Sequence, residues 1–188
     1  MIELVIHQNN PMKTFLFLLL TLTTAPLLAQ DQPDNYSFMK LYVTNEPGEV
    51  LLVKWNGEWE IIGDSYNQPL SINTFLDEMA SHMGITIQNP RLGGLYTQRW
   101  RGNPYLTLMH YYQADYVSGE LQVPPDCTDI KWFSYEEALE VIPYPNMTTM
   151  MRKIKAHPGR VIGAAFERYK DDNNQTQFVT LEDWHLMN

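Results

Sequence analysis

Alternating apolar and polar residues dominate the chain between positions 38 and 62. The alternation runs through Phe38–Thr44 and Glu49–Trp55, on either side of the turn residues Asn45–Gly48. This period of two predicts two antiparallel strands. Asn56-Gly57 is a further strong turn signal, so Trp59–Ile62 is predicted to be a short third strand. The segment is therefore expected to form a β-meander.

A helical period follows the meander. Ser71 is a favoured N-cap residue and Gly84 is a favoured stop. The apolar residues between them recur three or four positions apart. These residues are Ile72, Phe75, Leu76, Met79 and Met83. The pattern predicts an amphipathic helix that buries one face and leaves the other face in solvent.

Strand and helix signals alternate over the second half of the chain. Four apolar stretches bounded by turn residues predict strands. They are Ile85–Ile87, Gly94–Trp100, Tyr105–Val117 and Ile130–Phe133. Ser134 and Glu137 form a capping-box pattern that predicts a helix over Tyr135–Ile142, and Asn146 is predicted to cap a last helix that ends near His157. This order of elements indicates a mixed α and β architecture.

The C-terminal extension, residues 158–188, opens on a helix-breaking proline and glycine. Two alternating runs, Val161–Tyr169 and Gln175–Asp183, flank the polar turn residues Asp171–Asn174. This pattern predicts a terminal β-hairpin. A helix through Ala164–Arg168 is the competing interpretation.

The N-terminal residues have the pattern of an export signal. Lys13 precedes an unbroken apolar run, Phe15–Leu22, and small residues follow it. The run is shorter than the roughly 20 residues that a transmembrane helix needs. A signal peptide over residues 1–29 is therefore predicted, with Met1 or Met12 as its start. The polar, proline-bearing residues 30–37 then form a short tether.

Composition indicates a globular domain and argues against nucleic acid as a partner, while the export signal indicates the compartment. The chain has 188 residues, of which 44% are hydrophobic and 12% aromatic, as in a packed globular domain. Its 13 basic and 22 acidic residues give a net charge of -9, and no block of basic residues is present to bind a polyanion. Nucleic acid is not an expected partner. The protein is expected in the periplasm or outside the cell, with no stable membrane anchor after signal cleavage.

A further pattern lies at the amphipathic helix. Residues 59–64 read Trp-Glu-Ile-Ile-Gly-Asp, and residues 77–85 read Asp-Glu-Met-Ala-Ser-His-Met-Gly-Ile. These two segments, together with the order of strands and helices, resemble the Nudix superfamily. In that family Trp-x-x-Pro-Gly-Gly precedes a loop and a helix written Arg-Glu-U-x-Glu-Glu-x-Gly-U, where U is an aliphatic residue. The matching positions are Trp59, Gly63, Glu78, Met79, Gly84 and Ile85. The resemblance covers residues 38–157 and implies an α+β fold, an α/β/α sandwich with helices on both faces of a mixed β-sheet.

Several charged positions of the Nudix helix are replaced. Asp77 stands where the family has arginine, and Ser81 and His82 stand where it has paired glutamates. The preceding loop is two residues short and lacks its usual glutamate. In the family such glutamates bind a divalent metal and prepare the attacking water, so the resemblance implies a catalytic role for Glu78 alone. Magnesium needs several oxygen ligands, and one carboxylate is a poor cage.

A replacement metal site is one interpretation of this helix. Glu78 and His82 are four residues apart and share one flank of the predicted helix. An oxygen ligand beside a nitrogen ligand suits zinc or another transition metal better than magnesium. Loop carboxylates that could complete the site are Asp64, Glu120, Asp126 and Asp129. The alternative, which we favour, is a surface carboxylate beside a surface histidine.

Aromatic and basic residues cluster between positions 96 and 105. Aromatic faces stack on bases or sugars, and arginines hold phosphates; in the resembled fold this region lies near the substrate pocket. The candidate ligand-binding residues are Tyr96, Arg99, Arg101 and Tyr105. The alternative is that the aromatic residues belong to the core or to an edge strand and the arginines to the solvated surface.

Three functions remain open. The favoured one is a non-catalytic or impaired Nudix-like module that binds a small phosphorylated ligand or a protein partner in the former substrate cleft. The second is a metal-dependent hydrolase that cleaves a diphosphate linkage with a rearranged site, for which magnesium, manganese or zinc is the expected cofactor. The third is a purely structural or interaction domain. The missing motif carboxylates favour the first.

Overall fold

A nine-stranded mixed sheet organises residues 36–187, the part of the chain that the computed structural model describes. The strands are β1 (Tyr36–Thr44), β2 (Val50–Trp55), β3 (Glu58–Glu60), β4 (Gly63–Tyr66), β5 (Ile85–Trp100), β6 (Thr107–Gly119), β7 (Cys127–Phe133), β8 (Ile162–Lys170) and β9 (Thr176–Leu186). The helices are α1 (Ile72–His82), α2 (Tyr135–Val141) and α3 (Pro145–Ala156). The predicted signal peptide, with both candidate starts, and residues 30–35 of the predicted tether lie outside the described residues.

The strand order is β3-β2-β1-β6-β5-β8-β9, with β4 paired to β1 and β7 paired to β2. β1 and β6 run parallel at the centre of the sheet, and β5 and β6 run antiparallel. Over residues 36–187, β1 pairs with β2 only between Thr44 and Val50, because β4 occupies the same edge of β1 at residues 37–40. The first half of β1 and the end of β2 are therefore not paired with each other, and we call this gap in their pairing the opening.

The sheet separates two hydrophobic cores. Successive side chains of a strand point to opposite faces, so Leu41 and Val43 pack on the side of α1 while Tyr42 packs on the side of α2 and α3. The α1 core includes Phe75 and Leu76, which are fully buried. This arrangement of helices on both faces of a mixed sheet confirms the predicted α+β fold class.

Helix α1 begins and ends where the sequence predicts. The Ser71 Oγ accepts a hydrogen bond from the Thr74 N–H at 3.1 Å, which satisfies a donor of the first turn. Gly84 follows the helix with a φ of 74°, a conformation that favours glycine. A Cβ at this position would also collide with the main-chain oxygen of Glu120. Gly84 therefore both stops the helix and allows a close approach of two main chains.

Several local predictions differ from the structure. The strand β4 was not predicted, because Gly63–Tyr66 lacks an alternating apolar pattern and is held by pairing with β1. The predicted strands Ile85–Ile87 and Gly94–Trp100 are parts of one long strand, β5, whose pairing with β6 shifts register in three places. β1 also begins two residues earlier than predicted, at Tyr36. Tertiary pairing extends strands beyond their local signal.

The predicted N-cap role of Asn146 is wrong. The helix α3 has Tyr144 as its N-cap and Pro145 at its start, without a side-chain hydrogen bond to the cap. Proline is favoured there because its missing N–H would have no partner in the first turn. The Asn146 side chain lies inside the helix and instead donates to the Tyr96 hydroxyl at 3.0 Å. It links α3 to the sheet.

The C-terminal residues form a β-hairpin that extends the sheet. β8 runs parallel to β5, and β9 runs antiparallel to β8. The competing helix through Ala164–Arg168 is not present, since these residues belong to β8. No helix within residues 36–187 has the length and apolar character needed to cross a membrane.

Candidate functional site

A pocket of about 530 Å³ lies beside the opening between β1 and β2. We call it the central pocket, and its volume is in the range of small-molecule sites. Its walls come from strands on both sides of the opening, from α1 and α3, and from the C-terminal hairpin. Its polar and aromatic lining includes Phe38, Lys40, Glu60, Asp64, His82, Tyr96, Gln98, Tyr111, Asp126, Tyr144, Arg168 and Phe178.

Lys40 and Glu60 form a buried ion pair in the wall of the central pocket. The Lys40 Nζ lies 3.2 Å from the Glu60 Oε2 and donates to the main-chain oxygen of Ile61 at 2.8 Å. Burial lowers the pKa of Lys40, while the Glu60 carboxylate acts in the opposite direction. Because the two charges balance each other, this pair makes the wall polar without adding net charge.

Tyr96 and Tyr111 form a polar aromatic part of the same wall. Their rings are stacked with centroids 5.9 Å apart, and the Tyr96 hydroxyl accepts the hydrogen bond from Asn146. Burial raises the pKa of Tyr96 to about 12, and burial also raises the pKa of Tyr111. Both phenols are therefore neutral at physiological pH, and both rings are almost fully buried in the wall.

Arg168 is a second cation of the central pocket. Its guanidinium carbon lies 4.4 Å from the ring centroid of Trp100 and 5.7 Å from that of Phe178. Within residues 36–187, none of the ion pairs joins Arg168 to an Asp or Glu, and its Nε is buried without a hydrogen-bond partner. Burial lowers the pKa of Arg168, but a guanidinium keeps its charge in proteins. The part of this side chain that lines the pocket can donate to a ligand acceptor.

The predicted metal ligands lie on the exposed face of α1. Glu78 and His82 are both exposed, and His82 also lines the central pocket together with Asp64 and Asp126. In the described part of the chain, however, no three His, Cys, Asp or Glu side chains come together as a metal site would need. The catalytic role of Glu78 and the metal role of Glu78 and His82 stay predictions.

The four predicted ligand-binding residues lie in different places around the sheet. Tyr96 lines the central pocket. Arg99 and Arg101 instead contact Glu167, at N···O distances of 3.3 Å and 2.7 Å. Alternation along β5 turns Arg99 to the face opposite Tyr96, and Arg101 directly follows the end of β5. Tyr105 lies in the loop before β6. The structure thus does not bring these four together, and ligand contacts by all four stay predictions.

The sequence analysis missed Lys40 and Arg168. Each residue interrupts an inward-facing row of a strand, since Lys40 lies between Phe38 and Tyr42 on one face of β1, and Arg168 follows Phe166 on one face of β8. Cations are rarely buried without a specific reason. A basic residue at an inward position of an alternating strand is the signal that could have found both.

Comparison with known proteins identifies the fold. No protein-family model matches the sequence, and no curated protein matches it. Among solved structures, a mutator MutT protein from Bacillus halodurans superposes with a TM-score of 0.64 and 18% identity, covering 81% of this chain and 97% of that chain. A Nudix hydrolase from Nitrosomonas europaea gives 0.55 and 14%, over 65% and 90% of the two chains. A MutT protein from Methanosarcina mazei Go1 gives 0.54 and 14%, over 66% and 96%. The chain has the Nudix fold, and likeness at this identity carries no activity with it.

Proposed function

We propose that this Nudix-fold protein is an exported, non-catalytic or impaired module that binds a small phosphorylated ligand in the central pocket. The observation that carries the proposal is the contrast within the site. The pocket holds Arg168, a cation without a carboxylate partner, between aromatic walls. Helix α1 has Ser81 and His82 where the resembled family has its paired glutamates.

The side chains of α1 do not fit a magnesium site. Hydrolysis of a diphosphate needs a divalent cation that neutralises the oxygens of the reacting phosphates, and magnesium is held by several oxygen ligands in octahedral geometry. Of the glutamate positions of the motif, only one carries a carboxylate, Glu78. Across residues 36–187, no cluster of three metal-binding side chains compensates for the missing glutamates. Binding without turnover is the function that these residues support best.

The pocket offers two kinds of contact to a phosphorylated small molecule. The guanidinium of Arg168 has donors for phosphate oxygens, which it can bind with charge-assisted hydrogen bonds. The half-buried rings of Phe38 and Phe178, which also line the pocket, can contact a planar or apolar part of the same molecule. Such a combination of apolar walls with few polar groups is typical of small-ligand sites.

A rearranged metal-dependent hydrolase is the second candidate. The observation that favours it is that His82, Asp64 and Asp126 all line the central pocket. In that case a transition metal held partly by a nitrogen ligand would replace magnesium. The two candidates differ in whether added metal leads to turnover.

A thermal-shift panel with an activity assay separates these candidates. The protein, purified after export, is incubated with nucleotides, nucleotide sugars, and magnesium, manganese or zinc. A ligand present at 100 times its Kd stabilises the folded state by about 2.7 kcal/mol, which raises Tm by roughly 5–10 °C for a chain of this size. We expect such a shift for at least one phosphorylated compound, with no release of phosphate or monophosphate.

The Glu78→Gln variant is the control for catalysis. Metal-dependent release by the natural protein that disappears in Glu78→Gln contradicts a binding module and supports the hydrolase. A panel in which no phosphorylated compound raises Tm contradicts the ligand itself. The mass of the exported protein tests the predicted signal peptide, since cleavage after Ala29 leaves a chain that begins at Gln30. An uncleaved chain retained in the cytoplasm contradicts export.

A further inference from the structure

Arg168 lies in a row of three residues on neighbouring strands. It is the register partner of Trp100 on β5 and of Phe178 on β9. Directly opposed side chains of adjacent strands are in contact range, which explains why both rings lie within 6 Å of the guanidinium carbon. Two aromatic rings therefore flank the cation on either side and hold it in place.

The central pocket is lined by one lysine and one arginine, Lys40 and Arg168. Within residues 36–187, Arg168 is the one of the two that forms no ion pair with a carboxylate. The charge of Lys40 is balanced by Glu60 at 3.2 Å. The other carboxylates that line the pocket are Asp64, on β4, and Asp126, which precedes β7. Asp64 is near β1, because β4 pairs with β1, and Asp126 is near β2, because β7 pairs with β2. Arg168 is separated from β1 by β6 and β5, which is about 14 Å at the usual strand spacing.

The pocket is therefore polarised along the sheet. Carboxylates near β1 repel an anion at that end, whereas the guanidinium on β8 attracts one at the other end. Within residues 36–187 the buried Nε of Arg168 has no hydrogen-bond partner, and the half-buried side chain as a whole lines the pocket. An anionic group in the pocket can therefore approach a guanidinium whose charge no carboxylate of residues 36–187 pairs.

We infer that the C-terminal hairpin supplies the anion-binding end of the central pocket, where Arg168, held between Trp100 and Phe178, binds a phosphate or carboxylate group of an elongated ligand. The uncharged body of the ligand then extends along the pocket toward Phe38 on β1. This inference rests on the proposed function and specifies which end of the pocket takes the charge. Arg168 is thus a specificity-determining residue outside the segment that resembles the Nudix family.

Small aromatic probes test this assignment directly. Phenyl phosphate, benzoate and uncharged benzyl alcohol are titrated into the exported protein at low ionic strength, with binding followed by calorimetry. We expect the two anions to bind better than the alcohol. Hydrogen bonds to charged groups are worth about 1.5–3 kcal/mol, so Arg168→Gln should weaken anion binding roughly 10- to 100-fold and leave the alcohol unchanged. Comparing the two anions decides whether phosphate or carboxylate is preferred.

Two variants control for structural effects. Arg152→Gln removes an exposed arginine of α3 and should leave the affinity of every probe unchanged. Arg168→Lys keeps the charge without the planar fork and should recover part of the anion affinity lost in Arg168→Gln. Circular dichroism and Tm of each variant show that the hairpin has folded.

Three outcomes would overturn the inference. They are equal anion affinity in Arg168→Gln and the natural protein, binding of benzyl alcohol alone, and no binding of any probe at millimolar concentration. None of these outcomes by itself removes the proposed binding function, which is judged by the larger compounds of the thermal-shift panel. Failure of that panel with retained Arg168-dependent anion binding would leave the charged end correct and the ligand class wrong.

Discussion

The exposed face of α1 and the interior of the central pocket both carry charged side chains, in opposite environments. On α1, Asp77, Glu78 and His82 are exposed to solvent. In the pocket, Lys40 is only 5% exposed and is matched to Glu60. Water solvates the first group at little expense, whereas the second group stays charged only because each member has a partner.

The positions on α1 and just after it that match the Nudix pattern fall into two groups. Met79, Gly84 and Ile85 pack or turn the chain, whereas Glu78 faces solvent. Ser81 and His82, which stand where the pattern has paired glutamates, also face solvent. Packing constrains the helix, and the specific polar contacts lie in the pocket.

The largest expected effect comes from the buried ion pair. Removing one member of such a pair leaves an uncompensated buried charge, so Lys40→Ala should destabilise the protein by about 3–5 kcal/mol. Urea denaturation measures this loss. The exposed Lys131 provides the matched control, and Lys131→Ala should change stability by no more than about 0.5 kcal/mol. Similar losses in both variants would show that Lys40 is not the stabilising charge we describe.

The end of α1 gives the next effect. Gly84→Ala forces a positive φ on alanine and brings a Cβ against Glu120. Together these should cost about 2–4 kcal/mol. Gly102 also has a positive φ, 79°, but has open space around it, so Gly102→Ala should cost only about 1–2 kcal/mol. If the two variants unfold at the same urea concentration, the close approach at Gly84 does not contribute.

Alkaline pH tests the buried phenol of Tyr96. Burial raises the pKa of Tyr96 from 10.0 to about 12, so the folded protein keeps this phenol neutral while the unfolded chain ionises it. Its contribution is fully present below pH 10 and is lost as the pH rises to about 12, an effect of roughly 2–3 kcal/mol. In Tyr96→Phe, stability measured by urea denaturation should fall less steeply across this range.

The hydrogen bond to Tyr96 has its own control. Asn146→Ala removes the donor but keeps the phenol, so it should lower stability by about 0.5–1.5 kcal/mol without making the alkaline loss shallower. Parallel pH profiles for Tyr96→Phe and the natural protein would mean that the phenol is not kept neutral by burial.

The smallest expected effect is at the motif carboxylate of α1. Glu78 is exposed, so Glu78→Gln should change the free energy of unfolding by no more than about 0.5 kcal/mol and leave ligand-induced Tm shifts unaltered. Its neighbour Met79 is buried, and Met79→Ala should cost about 2–5 kcal/mol. A large loss of ligand response in Glu78→Gln would move the site from the pocket to the helix.

Short-range sequence patterns suffice for the elements that depend on neighbouring residues. Ser71 caps α1 and Gly84 ends it because capping and left-handed turns involve atoms only a few positions away. The capping box of α2 and the order of strands and helices follow from the same local rules. A mixed α and β architecture is therefore predictable from these local patterns, and the resemblance to the Nudix pattern adds the α+β class with helices on both faces of the sheet.

Long-range strand pairing, in contrast, selects which side chains share the pocket. Lys40 and Arg168 are brought to one cavity by the pairing of β1, β6, β5 and β8, while Arg99, adjacent in sequence to Trp100, is turned away from it. A shift of one residue in strand register moves a side chain to the opposite face of a sheet. Register is set by contacts between strands that are distant in sequence, which a local pattern does not encode.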